Sequence, residues 1–362
     1  MKDFFAIVRA ALWDEPMPEV EMSDELIRLL MQHGLGPLVF PRLPMTPVMK
    51  MVCVQNMQTQ AKMQIVLERA WKALEKAGIK AVLMKGAGLA AYYPDPSMRQ
   101  WGDIDLFVGK EQYHPACAVM RETFPDALKF DEELDHYKHY NLIADGVSIE
   151  THRVSVGLTH PRDVRRYAEM ERFGMEHAFE LKVGDMRLEI FEPTFNALMV
   201  FLHSWEHMIS SGANIRQLCD LALLLHREQE RIDWKRLEHW LKALNAWDVW
   251  QVYMIVLKHN LGLEVSGIEV SGLEVSGLEV RGKRLMEAIL YGETFEGASE
   301  MSATRQSKKY HNRFVRKWHT MQVRMDSAEW VSQFSPAYAR HMKEAVWLGG
   351  LSRLFAKDRH WE

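Results

Sequence analysis

The spacing of apolar residues changes at Gly78 and changes back after Pro193, and this double change limits the folds open to the chain. Before Gly78, "SDELIRLLMQHG" and "VMKMVCVQNMQTQAKMQIVLERAWKALEKAG" carry apolar residues at helical period. Ser23 is a candidate N-cap, and Gly34 and Gly78 are candidate stops. Beyond Gly78, "IKAVLMK", "DIDLFVG" and "MRLEIFEP" are short apolar runs of strand length, and "YNLIADGVSIETHRV" reads as a hairpin turning at Asp145-Gly146. "AGLAAYY" and "KEQYHPACAVMRETF" read as helices between them. After Pro193 the helical period returns in "PTFNALMVFLHSWEHMI", opened by a proline and a Thr194 cap, then in "NIRQLCDLALLLHRE" and "DWKRLEHWLKALNAWDVWQVYMIVLKHNLG", and last in "PAYARHMKEAVWLGGLSRLFAKD". The expected class is α/β in the α+β sense. A mixed-sheet module at residues 76–192 lies between an N-terminal helical segment at 1–75 and a C-terminal helical domain at 193–362.

Composition narrows the function classes. A chain of 362 residues with 48% hydrophobic and 26% charged residues is that of a soluble globular protein. No apolar run approaches the roughly 20 residues that cross a bilayer, and "MKDFFAIVRAALWDEP" reads as an amphipathic helix, not a secretory signal. Cys53, Cys117 and Cys219 are widely spaced and in no CxxC pattern, so a cytoplasmic location is expected. A net charge of −4 argues against a surface built to hold nucleic acid. The local exception is the basic stretch "RQSKKYHNRFVRKWH", Arg305 to His319, whose plain reading is a solvated helix face. "LEVSGIEVSGLEVSGLEVRG" at 263–282 repeats with period five in four copies, too few to bury a core alone, and is expected to form an irregular or extended loop with no chemistry.

The chemistry concentrates in the middle of the chain. Asp103 and Asp105 stand one residue apart in a strand, so both carboxylates share a face while Ile104 and Leu106 point to the other. Such a pair calls for a proton or a cation, and a hard divalent ion such as Mg²⁺ prefers oxygen ligands. In "VSIETHRV", Glu150 and His152 share a face too, so a neighbouring strand can set Glu150 beside the two aspartates. Three carboxylates can hold two ions that activate an attacking oxygen and steady a leaving phosphate. Gly86 lies at a strand-to-helix turn where backbone N–H groups can meet phosphate oxygens, with Lys85 and Arg99 as nearby cations.

These residues carry a resemblance. The order "KG", "YP", Arg99 and "GDIDL", followed by "VSIETHRV" and "LMVFLHSWEHMISSGANIRQLCDLALLL", resembles an uncharacterised bacterial nucleotidyltransferase family within the DNA-polymerase-β-like superfamily. The resemblance implies a nucleotidyltransferase module in which Asp103, Asp105 and Glu150 hold Mg²⁺, or Mn²⁺ in its place, as the catalytic set. Lys85, Gly86, Arg99 and Gly102 fall on the nucleotide and phosphate side, and His152, His203, His207, Arg216 and Asp220 line the cleft. It further implies transfer of a nucleoside monophosphate from an NTP, with ATP as the expected donor, to a hydroxyl-type acceptor that is a small molecule or a protein. His203 and His207 also have the i, i+4 spacing of helical zinc ligands, but without an HExxH glutamate or an evident third ligand.

One departure keeps other functions open. The superfamily's turn is usually Gly-Ser or Gly-Gly, whereas this chain has Gly86-Ala87, with no hydroxyl for a phosphate. A catalytically inactive nucleotide-binding or regulatory protein of the same fold is the alternative. An RNA-end-modifying enzyme using Arg305 to His319 is a third reading.

Overall fold

The computed structural model describes residues 1–130, 134–183, 186–265, 275–293 and 313–355; within the last two stretches, side chains are described at 276–293 and 321–348. The chain begins with α1 (Lys2–Leu12), α2 (Asp24–Gln32), α3 (Gly36–Val39) and α4 (Pro47–Lys76). Ser23 caps α2 by accepting from Leu26 N, and Gly78 at φ +69 ends the turn after α4. The sheet region follows as β1 (Val82–Met84), α5 (Gly86–Ala90), β2 (Asp103–Phe107), α6 (Gly109–Thr123), β3 (Leu128–Lys129), β4 (His139–Ala144) and β5 (Val147–His152).

These strands form one mixed sheet in the order β1-β2-β5-β4-β3. β2 and β5 run parallel, and every other pair is antiparallel. The parallel pair needs a crossover, which α6 supplies by packing against β5 with α4 over it. The β4–β5 turn is Asp145-Gly146 as expected, with φ of 52° and 74°, the geometry of a two-residue hairpin loop. Ile104, Leu106, Leu142 and Ile149 are almost wholly buried.

After the sheet come α7 (Pro161–Glu176), β6 (Phe179–Val183), β7 (Met186–Ile190), α8 (Pro193–Ser210), α9 (Ile215–Glu228), α10 (Trp234–Ala243) and α11 (Trp247–Leu261), then α12 (Val275–Leu290), α13 (Arg313–Val331) and α14 (Pro336–Phe355). The molecule is a mixed α/β protein, its five-stranded sheet preceded and followed by helices. α8 is deeply enclosed, with Phe195, Leu198, Phe201 and Trp205 all buried. At Gly174, a Cβ would fall 2.3 Å from the Phe195 ring, so only glycine lets α7 lie this close to α8.

Several elements differ from expectation. "MRLEIFEP" does not join the main sheet; β7 pairs with β6 in a separate hairpin. α7 was not foreseen, because half of its residues are charged. Thr194 is not the cap of α8: Glu192 accepts from Phe195 N, and Thr194 donates to Glu192 from inside the helix. The long run from Asp233 divides into α10 and α11 around Asn245 at φ 55°. Of the pentapeptide repeat, residues 266–274 lie outside the described residues, but the end is no loop. Val275 to Gly282 form the start of α12, because Leu278, Leu285, Met286 and Ile289 supply a helical stripe that buries against α11. The basic stretch Arg305 to His319 lies outside the described residues up to residue 312, and from Arg313 its backbone is helical.

Candidate active site

The register of β2 and β5 sets Asp105 directly beside Glu150, and Asp103 lies one pleat away on the same face. Carboxylate oxygens of Asp103, Asp105 and Glu150 all fall within 4.8 Å of one another. At that separation two like charges repel by roughly 3–4 kcal/mol at an effective dielectric of about 20, so the cluster needs positive charge nearby. Asp105 is completely buried, while Asp103 and Glu150 are half-buried.

Two cations answer from within the protein. Lys85 Nζ lies 2.9 Å from Asp105 Oδ1. His152 Nε2 lies 2.9 Å from the same oxygen and 3.1 Å from Glu150 Oε2. The other ring nitrogen of His152, Nδ1, faces the Val154 carbonyl at 3.3 Å, so both nitrogens meet acceptors and the ring is an imidazolium. Burial works against its charge, but the bonds to Asp105 and Glu150 outweigh burial and raise its pKa. Lys85 is likewise opposed by burial and held protonated by Asp105, Asp103 and Glu150.

The acids respond unequally. Asp103 is pushed up to about 6, first by the charge of Asp105 and then by burial. Burial alone would raise Asp105 too, but Lys85 and His152 hold it well below the usual carboxylate range. Glu150, also opposed by burial, is lowered by its hydrogen bond from His152. Against three carboxylates stand two cations, and Asp105 Oδ2 remains buried without a hydrogen-bond partner among the described residues. A divalent ion on this oxygen would satisfy it and relieve Asp103, so the donor set fits a hard cation.

The turn after β1 brings Lys85 into place. Lys85 at φ 42° and Gly86 at φ 40° are successive left-handed residues, a conformation a side chain opposes at Lys85 and glycine permits at Gly86. A Cβ on Gly86 would also approach Asp103 O at 3.4 Å and the Trp101 ring at 3.5 Å. At Gly102 a Cβ would meet open space.

The residues foreseen around the cleft divide into two groups. Arg99 is buried and grips Asp220 with two bonds, Nε to Oδ1 at 2.7 Å and Nη2 to Oδ2 at 2.8 Å. Tyr93 OH donates to the same carboxylate at 2.8 Å, so this trio ties the loop before β2 to α9. Arg216 donates to the Gln100 carbonyl at 2.6 Å and stays within electrostatic reach of Asp103. His203 and His207 stand edge-to-face on α8, ring centroids 4.5 Å apart. Burial lowers both pKa values, His207 to about 4, and the Lys85 charge adds to the effect, so α8 presents neutral imidazoles towards Lys85. Among the described residues no third ligand joins them as a metal cluster.

Sequence reasoning missed His139. It pairs with His152 across β4 and β5, and its Nδ1 lies 3.5 Å from Glu150 Oε2, so Glu150, His139 and His152 make a second group of potential ligands. The alternation of "HYNLIA" carried that signal, since His139, Asn141 and Ile143 share a face.

Residues 20–262 match the model of a family described as "Uncharacterised nucleotidyltransferase". The chain belongs to this family. The matched span contains every residue of the acidic cluster and its cations, and it ends before α12. The family's description names nucleotidyl transfer, which implies a nucleoside triphosphate as substrate, and the acidic cluster supplies oxygen ligands. No curated protein matches the chain. The crystal structure of an antigenic nucleotidyltransferase-like protein from Paracoccidioides brasiliensis aligns over 56% of this chain and 92% of its own, at 16% identity and a TM-score of 0.32. Likeness at that level is too slight to bear on fold or function. None of the described helices is long and apolar enough to cross a membrane.

Proposed function

We propose that this nucleotidyltransferase-family chain moves a nucleoside monophosphate from an NTP, with ATP as donor, to a hydroxyl-type acceptor, releasing pyrophosphate. The observation that carries the proposal is the convergence of Asp103, Asp105 and Glu150, whose carboxylate oxygens fall within 4.8 Å of one another, together with Asp105 Oδ2, buried and without a hydrogen-bond partner among the described residues. Asp103, Asp105 and Glu150 would hold Mg²⁺. When bound, the metal supplies charge that favours deprotonation of the acceptor and stabilises the phosphoryl oxygens. His152 keeps Asp105 and Glu150 ionised and fixes their orientation from the same sheet face. Lys85 and the turn at Gly86 offer positive charge and backbone N–H groups on the phosphate side, and Arg216 adds a further cation. Arg99 would act through Asp220, by holding the loop that leads into β2.

The test is a screen of labelled ATP, GTP, CTP and UTP with Mg²⁺ in cell lysate. A labelled product should form with the native chain and vanish in the Asp103→Asn, Asp105→Asn double variant, whose circular dichroism should match the native spectrum. A product made equally by the folded double variant would refute the assignment. A second reading is favoured by Ala87 and by Lys85 already engaging Asp105: a nucleotide-binding protein that performs no transfer. Nucleotide binding without pyrophosphate release across varied acceptors would select it.

A further inference from the structure

The long helix α4 is covered by the protein along one side only. Met49, Asn56, Met63 and Ala70, which recur every seven residues, are buried against it. On the opposite side Met51, Val54, Gln58, Ala61 and Ile65 are exposed, with Met51 at 52%, Val54 at 51% and Ile65 at 69%. Single exposed apolar side chains are ordinary on a protein surface, but these share one face of one helix. Their steps of three, four, three and four residues are those of the a and d positions of a heptad, with the buried residues at f directly behind them. A seam with that spacing is the surface into which another helix packs its side chains.

The seam is complementary to itself when a second copy of α4 runs antiparallel. In such a pair each a residue faces a d residue, and a two-fold axis level with Asn56 sets Met51 against Ala61, Val54 against Gln58 and Ile65 against Pro47, each contact occurring twice. Large side chains then meet small ones in the outer layers, and Gln58 is a single polar residue that fixes the register at some cost in strength. Charge agrees with this arrangement. Lys50 and Lys62 are the only charged residues from Pro47 to Ile65. Beside the seam Lys62 meets Val48 or Gln55 of the second copy, and Lys50 meets Gln64 or Met57, so no like charges are opposed. A parallel pair would set Ala61 against Ala61 and Gln58 against Gln58, leaving a gap in one layer and two polar groups in another.

We propose that two copies of the chain associate through the exposed face of α4, as an antiparallel helix pair about a two-fold axis. The seam uses none of the residues of the acidic cluster on β2 and β5, so the pairing stands or falls independently of the proposed transfer.

Sedimentation equilibrium of the full-length chain across the micromolar range tests this. The average mass should climb with concentration from that of one chain towards that of two. Met51→Glu should weaken association by at least about tenfold, because it buries an unpaired carboxylate, and Ala61→Lys should do the same with an ammonium. Both positions are exposed, so the variants should keep the native circular dichroism. Combined in one chain, the two substitutions face each other twice across the axis and should restore the dimer. Ile65→Gln, an uncharged change at the end of the seam, should weaken it as well. A native chain that stays monomeric throughout the range overturns the proposal, and leaves the seam to a different partner. A dimer indifferent to all three single substitutions also overturns it, since it must use another surface. So does a double variant no better than the two singles, because the antiparallel register would then be wrong.

Discussion

Lys85 and Asp105 form an ion pair of 2.9 Å in which the carboxylate is fully buried and the lysine side chain is only 13% exposed. Lys85 thereby supplies, from a strained backbone turn, part of the positive charge that three adjacent carboxylates demand. Lys85→Met should therefore destabilise the metal-free protein by roughly 3–5 kcal/mol, the usual cost of leaving a buried charge unpaired. Mg²⁺ should return much of that loss, because it can replace the missing ammonium. Thermal unfolding of both proteins with and without Mg²⁺ checks this: Tm of the variant should rise more than that of the native chain. A variant whose Tm ignores Mg²⁺ would mean that the acids do not hold the ion.

Arg99 and Asp220 offer a different case, in which pairing is a matter of architecture. Their two bonds and the Tyr93 hydroxyl join the loop before β2 to α9 across a buried interface. Arg99→Ala leaves Asp220 buried without its cation and should cost about 3–5 kcal/mol in urea unfolding. Arg99→Lys keeps a charge but loses the two-pronged geometry, so it should fall between the two. If Arg99→Ala unfolds at the native urea midpoint, the pair does not hold the loop.

Much of this site could be read from the chain because strand period two fixes which side chains share a face. Asp103 with Asp105, and Glu150 with His152, were legible on that ground alone, as was the Asp145-Gly146 turn. The partnership of the strands was not, since nothing in "DIDLFVG" or "VSIETHRV" states that β2 and β5 run side by side in parallel. Pairings across long stretches of chain were equally hidden: Arg99 meets Asp220 from 121 residues away, and Asp163 meets His341 from 178. α7 escaped notice for another reason. Its buried residues include Asp163 and Glu171, so its inward face does not look apolar.

Glu171 gives that helix a pH dependence. It accepts from Ser155 N at 2.7 Å and from Ser155 Oγ at 2.6 Å, yet burial outweighs both bonds and pushes its pKa from 4.5 up to about 7. The folded state therefore binds a proton more tightly than the unfolded state. Stability from this group is full below pH 4.5 and is lost as pH rises through about 7. Glu171→Gln keeps an oxygen for Ser155 and removes the titration, so it should flatten this part of the stability profile. At pH 8 it should stabilise the protein by at most about 3 kcal/mol. Urea midpoints measured from pH 5 to 8 would expose an error if the two profiles ran parallel.

The last copy of the pentapeptide repeat should behave unlike a spacer. Leu278 is 4% exposed in α12, and Arg281, which stands where the earlier copies carry serine, donates to both oxygens of Asp248 at 2.8 Å. A Cβ on Gly282 would sit 3.0 Å from Ile255, so α12 packs tightly on α11. Leu278→Ala should cost about 2–4 kcal/mol through the cavity it leaves. Val280, only two residues away, is 70% exposed on the opposite face, and Val280→Ala should change stability by less than about 0.5 kcal/mol. Denaturant titration of the two variants separates a packed helix from a surface loop: in a loop both would be neutral, whereas a helix with one buried face penalises Leu278→Ala alone.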